Sequence, residues 1–327
     1  MTGTTMEEST TTRSTSVSIQ SFPHSISLGS CIGGVPIKLH LSFFLLVLLE
    51  LISSIRIAGE FPLYTLFVVV LYGPVLMLTV LIHEFGHVFA TKRMGGEVGG
   101  VVLWPLGGFA LCGPTDSLAG EMKVALAGPL THIPQTMFWW MIYLLVKYEF
   151  DMAGQATTLW PSFSIFLKTM SSGPAGFFQV LAGEAVWLNI ILCGFNLCIP
   201  AYPLDGGRVY AAGLMLKLKM EPLKAAFVTA MTAFVIASVM VVYGVVRIFT
   251  GGAGFSLYLA LVGLYVLGES FGLYKAVQSN DLKNHPIFGR ECFKSGAAAA
   301  SSSTNGDLTM AEVSAPADIP AEEGVMA

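Results

Sequence analysis

Along the 327-residue chain, long apolar runs alternate with short polar or glycine-rich interruptions. Six runs reach roughly the 20 residues that a helix needs to cross a hydrocarbon core: 37–57, 62–91, 122–146, 178–199, 223–248 and 254–275. Each predicts a transmembrane helix. Residues 94–114 carry seven glycines and two prolines between short β-prone stretches. They predict a hairpin, at about 98–112, or a re-entrant loop, at the membrane surface between the second and third spans. Residues 148–177 read as a mixed loop, and 200–222 end one helix and begin another. The pattern predicts an all-α polytopic membrane protein of about six transmembrane helices with a membrane-associated β-hairpin. Its boundaries are a Ser/Thr-rich disordered arm over 1–35, one domain over 36–275 and a mostly disordered tail over 276–327.

Composition narrows the class. Charged residues make up 12% of the chain and hydrophobic residues 54%, with a mean hydropathy of +0.70. Soluble domains carry about 25% charged residues, so a water-soluble enzyme does not fit. The formal net charge of −4 offers no basic footprint for nucleic acid. Five irregularly spaced cysteines suggest neither a disulfide framework nor a sulfur-ligated metal. Nothing in the arm resembles a cleaved secretory signal, and Glu7 and Glu8 speak against a transit peptide. With both termini on one side of six spans, 13 of the 17 Lys and Arg residues fall on that side. The bias predicts that both termini face the cytosol or its organellar equivalent.

Against this background the few polar residues inside spans stand out. His83-Glu84-Phe85-Gly86-His87 lies in the second run. At i and i+4 of a helix the two imidazoles share a face and can bind one metal, with Glu84 beside it as general base. Catalytic zinc sites usually have three protein ligands. The best third candidate is Asp205, in Pro200-Ala-Tyr-Pro-Leu-Asp-Gly-Gly-Arg208. Pro200 and Pro203 forbid a continuous helix, and irregular backbone at membrane depth is tolerated where it is buried in protein or lines a cavity. Asp205 could instead cap the helix beginning near Gly207, but an unfinished His/His pair favours ligation. Asn189 and Asn196 could support a scissile carbonyl or join helices. His132 could line a substrate path or sit hydrogen-bonded in the core. His40 reads as interfacial, Glu269 as structural, and Glu50 as a paired or protonated carboxyl in the first span.

These motifs together resemble the site-2 protease family of intramembrane zinc metalloproteases. Smaller matches fall in the same order: Val35-Pro-Ile-Lys-Leu-His40, Trp104-Pro-Leu-Gly-Gly108 and Ala127-Gly-Pro129. The resemblance covers about residues 35–275. It implies one Zn²⁺ per chain held by His83, His87 and Asp205, with Glu84 as catalytic acid/base. It also implies single-span membrane proteins as substrates, cut within or near their membrane helix. The hairpin would pair with an unwound substrate strand, Gly107 and Gly108 allowing close approach. The family's asparagine falls on Asn196, one position out of register, with Asn189 as competitor. His132 stands where relatives often carry Asn. No nucleotide-sensing CBS pair or PDZ insertion is visible. A transporter or metal-handling protein, or a non-cleaving protease-like scaffold, are the alternatives.

Overall fold

In the computed structural model, the described residues are 23–60, 62–149, 163–250, 255–283, 285 and 287–290. Strands β1 (Ser25–Ile32) and β2 (Val35–His40) come first, followed by helices α1 (Phe43–Glu60) and α2 (Pro62–Val70). A π-helical turn, Leu71–Val75, leads into α3 (Leu76–Arg93). Pro74 inside that turn has no N–H to donate, and the widened turn absorbs it without ending the helix. Strands β3 (Val98–Trp104) and β4 (Gly107–Cys112) follow. The rest is helical: α4 (Leu118–Leu130), α5 (His132–Glu149), α6 (Phe163–Met170), α7 (Pro174–Cys198), α8 (Asp205–Lys217), α9 (Pro222–Phe249) and α10 (Phe255–Gln278).

Four helical stretches are long and apolar enough to cross a membrane: Leu63–Arg93, Pro174–Cys198, Pro222–Phe249 and Ser256–Gln278. They correspond to the second, fourth, fifth and sixth predicted runs. The first and third runs differ from expectation. Residues 37–40 belong to β2, and the helix that follows, α1, carries an apolar stretch over Phe43–Ile52. The third run is interrupted at Thr131, between α4 and α5. Pro134 leaves the Leu130 carbonyl without its helical donor, and Thr131 turns its hydroxyl onto the Gly128 carbonyl at 2.7 Å. Among the described residues, length and composition alone mark these four stretches as candidate spans.

The expected all-α class is corrected by a four-stranded sheet of order β1-β2-β3-β4. The hairpin is present, with β3 and β4 antiparallel from Val98↔Cys112 to Trp104↔Gly107. β2 pairs with β3 in parallel across the α1–α3 excursion, and β1 extends the sheet antiparallel to β2. Val35, Ile37 and Leu39 alternate inward and pack with Val101 and Leu103 against Phe43, Leu46, Val80, Phe85 and Val88 of α1 and α3. This core seats the sheet on the helix that carries HEFGH.

Structured chain also reaches past both ends of the predicted domain. β1 lies inside the stretch read as a disordered arm. Beyond α10, Ile287 and Phe288 are buried with Leu118, Tyr202 and Leu214, inside the stretch read as a tail. Residues 1–22 and 291–327 of the predicted arm and tail lie outside the described residues.

Candidate active site

α3 places His83 and His87 on one face, their ring centroids 4.9 Å apart. Asp205 opens α8 and faces them across the protein. Its Oδ2 lies 3.1 Å from His83 Nε2 and 3.2 Å from His87 Nε2, and the two Nε2 atoms are 3.2 Å apart. All three residues are buried. The approach to Asp205 is built as its prolines suggest: Ala201 N–H donates to the Ile199 carbonyl at 2.8 Å and Leu204 N–H to the Ala201 carbonyl at 2.9 Å. A Cβ on Gly206 would meet the Ile199 carbonyl oxygen at 2.4 Å, and one on Gly207 the Ala201 carbonyl carbon at the same distance. The broken segment and the start of α8 are thus pressed together backbone to backbone.

Hydrogen bonds behind the imidazoles fix which nitrogen faces inward. His87 Nδ1 donates to the Val124 carbonyl of α4 at 2.7 Å, leaving the lone pair on Nε2. Asn189 Nδ2 donates to the Ala185 carbonyl at 2.9 Å, which turns its Oδ1 toward His132. His132 Nδ1 donates to that Oδ1 at 2.9 Å, and neutral His132 then accepts at Nε2 from His83 Nδ1 at 3.1 Å. In neutral imidazoles this assignment puts both Nε2 lone pairs and the Asp205 carboxylate face to face with no proton among them. Three buried acceptors within van der Waals range of one another call for a cation at their centre. Two imidazoles and one carboxylate are a donor set that zinc accepts. Among the described residues, this is the one His/Cys/Asp/Glu group able to hold a metal.

Glu84 is buried next to the pair, and the Ala110 N–H of β4 donates to its carboxylate. Gly108, also on β4, lies so close that a Cβ there would meet Glu84 Cγ at 2.3 Å. β4 is an outer strand of the sheet, with Phe109 half exposed. Behind Asp205, Arg208 Nη1 stands 3.6 Å from Oδ1, and Arg208 Nη2 stands 3.6 Å from Glu121 Oε2.

Of the residues singled out from sequence, His83, Glu84, His87 and Asp205 are brought together. Gly108 joins them through Glu84, and His132 and Asn189 join them through His83. Gly107, with φ of +140°, meets nothing within 4 Å of its absent Cβ. Asn196 turns its amide back onto the Leu192 carbonyl of α7 at 3.1 Å. Sequence reasoning missed the ligand support from Val124, Arg208 and Glu121, and the close approach of Gly128. Arg208 was signalled by its i+3 spacing from Asp205, which puts both on one helix face. Gly128 lies in the Ala127-Gly-Pro129 motif.

A family model described as Peptidase family M50 matches residues 73–242. The chain is 28% identical over 233 residues to a protein named zinc metalloprotease MJ0392 of Methanocaldococcus jannaschii, an alignment covering 71% of this chain and 56% of that protein. It is 27% identical over 217 residues to a protein named "Putative zinc metalloprotease Rip3" of Mycobacterium tuberculosis, covering 65% and 48%. The chain thus spans about half the length of these curated relatives. Among solved structures, a site-2 protease from Methanocaldococcus jannaschii matches with a TM-score of 0.49 at 26% identity, over 76% of this chain and 94% of that one.

Proposed function

The chain belongs to peptidase family M50, and from that premise we propose that it is an intramembrane zinc metalloprotease acting on single-span membrane proteins. The observation that carries the reading is the convergence of His83 Nε2, His87 Nε2 and Asp205 Oδ2 within 3.2 Å, with Glu84 buried beside them. A zinc ion held there supplies a Lewis acid that polarises the scissile carbonyl and activates a water nucleophile. Glu84 takes the proton from the attacking water and passes it to the leaving amine. The Ala110 N–H holds its carboxylate in place between transfers.

A substrate helix keeps its carbonyls in internal hydrogen bonds and must unwind before it can be cut. The outer edge of β4 gives the unwound segment a strand to pair with, directly over Glu84. The excess of Lys and Arg on one side of six spans supports a cytosolic setting for both termini and for the Lys92–Arg93 end of α3. Water then reaches the site from the cytosol, and the chain serves regulated intramembrane proteolysis of membrane-tethered proteins. Glu84→Gln in the full chain tests the reading. The variant is expected to keep its zinc and to lose cleavage of a membrane-tethered reporter; undiminished cleavage overturns it.

A further inference from the structure

We infer that the described residues between Asp281 and Arg290 form a strap that positions the ligand Asp205, through Arg290, Glu121 and Arg208 as positioning residues. The inference rests on the reading of His83, His87 and Asp205 as a zinc site. α10 ends at Gln278, and the chain turns back at Asn280, whose φ is +53°. His285 Nδ1 accepts the backbone N–H groups of Ile287 and Phe288 at 3.2 Å each, which folds the strap into a compact turn. Phe288 is 2% exposed and packs with Leu118 of α4 and Ala211 and Leu214 of α8. The His285 ring lies against Tyr202, their centroids 5.1 Å apart. The strap is therefore seated on α4 and α8, the two helices that carry Glu121 and Asp205.

From that seat Arg290 reaches inward. Its Nη1 donates to Glu121 Oε2, and its Nη2 donates to the Cys112 carbonyl at the end of β4, at 2.9 Å. Glu121 Oε1 accepts from the Thr115 N–H at 2.9 Å and from the Thr115 hydroxyl at 3.0 Å. Glu121 Oε2 also faces Arg208, which in turn faces Asp205 Oδ1. Glu121 is buried, so it needs a cation. With Arg290 in place, Arg208 is shared between Glu121 and Asp205. Without it, the uncompensated Glu121 draws Arg208 toward itself, and Asp205 Oδ1 loses the contact that keeps Oδ2 turned to the histidines. Groups that orient a metal ligand in this way act on affinity as well as on rate.

The test uses the purified full chain in lipid bilayers, measuring zinc release to a colorimetric chelator and reporter cleavage. Arg290→Ala is expected to release zinc on the order of 10–100-fold faster, with kcat lowered and KM little changed. Arg290→Lys, which keeps the charge, should recover part of the loss. Arg290→Ala should add little in an Arg208→Ala background. Phe288→Ala, which unseats the strap, should reproduce Arg290→Ala; if Phe288→Ala misfolds, Arg290→Ala alone carries the test. Release at the parent's rate in Arg290→Ala overturns the inference. A parent that binds no zinc overturns the inference and the metalloprotease reading together. A parent that binds zinc but cuts no reporter overturns the protease reading, and the release rates still decide for or against the strap.

Discussion

A Cβ added to Gly128 would lie 2.3 Å from Nε2 of His87 and 2.7 Å from Nε2 of His83. α4 thus presses bare backbone against both imidazoles at the nitrogens that face Asp205. The same helix holds His87 from behind through the Val124 carbonyl, so the ring has little freedom to withdraw. Gly128→Ala is expected to displace the ligands and weaken zinc binding by about 1–3 kcal/mol, the usual range for an overpacked site. Metal content after dialysis against a chelator checks it, and zinc retained as in the parent refutes it.

Gly108→Ala addresses the base and spares the metal. The three heavy atoms nearest the added methyl all belong to the Glu84 side chain, at 2.3–2.6 Å, and a flexible carboxylate can shift away. The fold and the zinc should survive, while cleavage falls. An ångström of misplacement at the reacting centre can cost on the order of 100-fold. Reporter turnover measured at equal zinc content decides.

His132 and Asn189 set the tautomer of His83 from behind. His132→Ala removes the acceptor of His83 Nδ1–H, and Asn189→Ala removes the acceptor of His132 Nδ1–H. Either variant should weaken zinc binding on the order of 10–100-fold, with the effects overlapping in the double variant because they act in series. Chelator titrations of the four proteins test this, and fully additive losses would contradict it.

Strap seating should depend on acidity. Burial and then the Arg290 guanidinium pull His285 down to about 4 from an ordinary value of 6.5. Between those values the unseated strap binds a proton that the seated one refuses, so seating weakens as the pH falls from 6.5 to 4. The same direction holds for Glu121: burial raises its pKa, but Arg290, Arg208 and the Thr115 N–H outweigh it and hold the carboxyl below its ordinary value. Its contribution is complete above about 4.5 and is lost as the pH falls further. Amide protection at Ile287 and Phe288, taken relative to the intrinsic exchange rate at each pH, should fall from pH 7 to pH 5 in the parent, and much less in His285→Phe.

The HEFGH constellation was legible because it is local: four residues of helix suffice to bring His83 and His87 onto one face. Four of the spans and the 98–112 hairpin were legible for similar reasons, as continuous apolar runs and as glycine-punctuated β-prone stretches. What sequence concealed was set by partners far along the chain. Val35–His40 reads as the entrance of a span until β3 is seen beside it, pairing in parallel across more than fifty residues. The break at Thr131 lies within a run whose length reads as one span, although Pro129 and Pro134 flank it. Asn189 and Asn196 lie seven residues and roughly 10 Å apart on the same helix face, and only the position of His132 along that face selects Asn189 for the hydrogen bond. Arg290 sits in a polar stretch with no pattern of its own, and its meaning comes from Glu121, 169 residues away.

The separation of the ligands along the chain has a consequence for a newly made molecule. Asp205 follows His83 by 122 residues, and Arg290 comes later still. At a synthesis rate of about 5–20 residues per second, His83, Glu84 and His87 leave the ribosome some 6–24 s before their third ligand does. Throughout that interval the nascent chain carries a base and two imidazoles without the carboxylate that would complete the centre. The order of residues thus acts as a built-in delay: the three-residue set is complete only once Asp205 has been made, after the apolar helices Leu63–Arg93 and Pro174–Cys198 and ahead of Pro222–Phe249 and Ser256–Gln278.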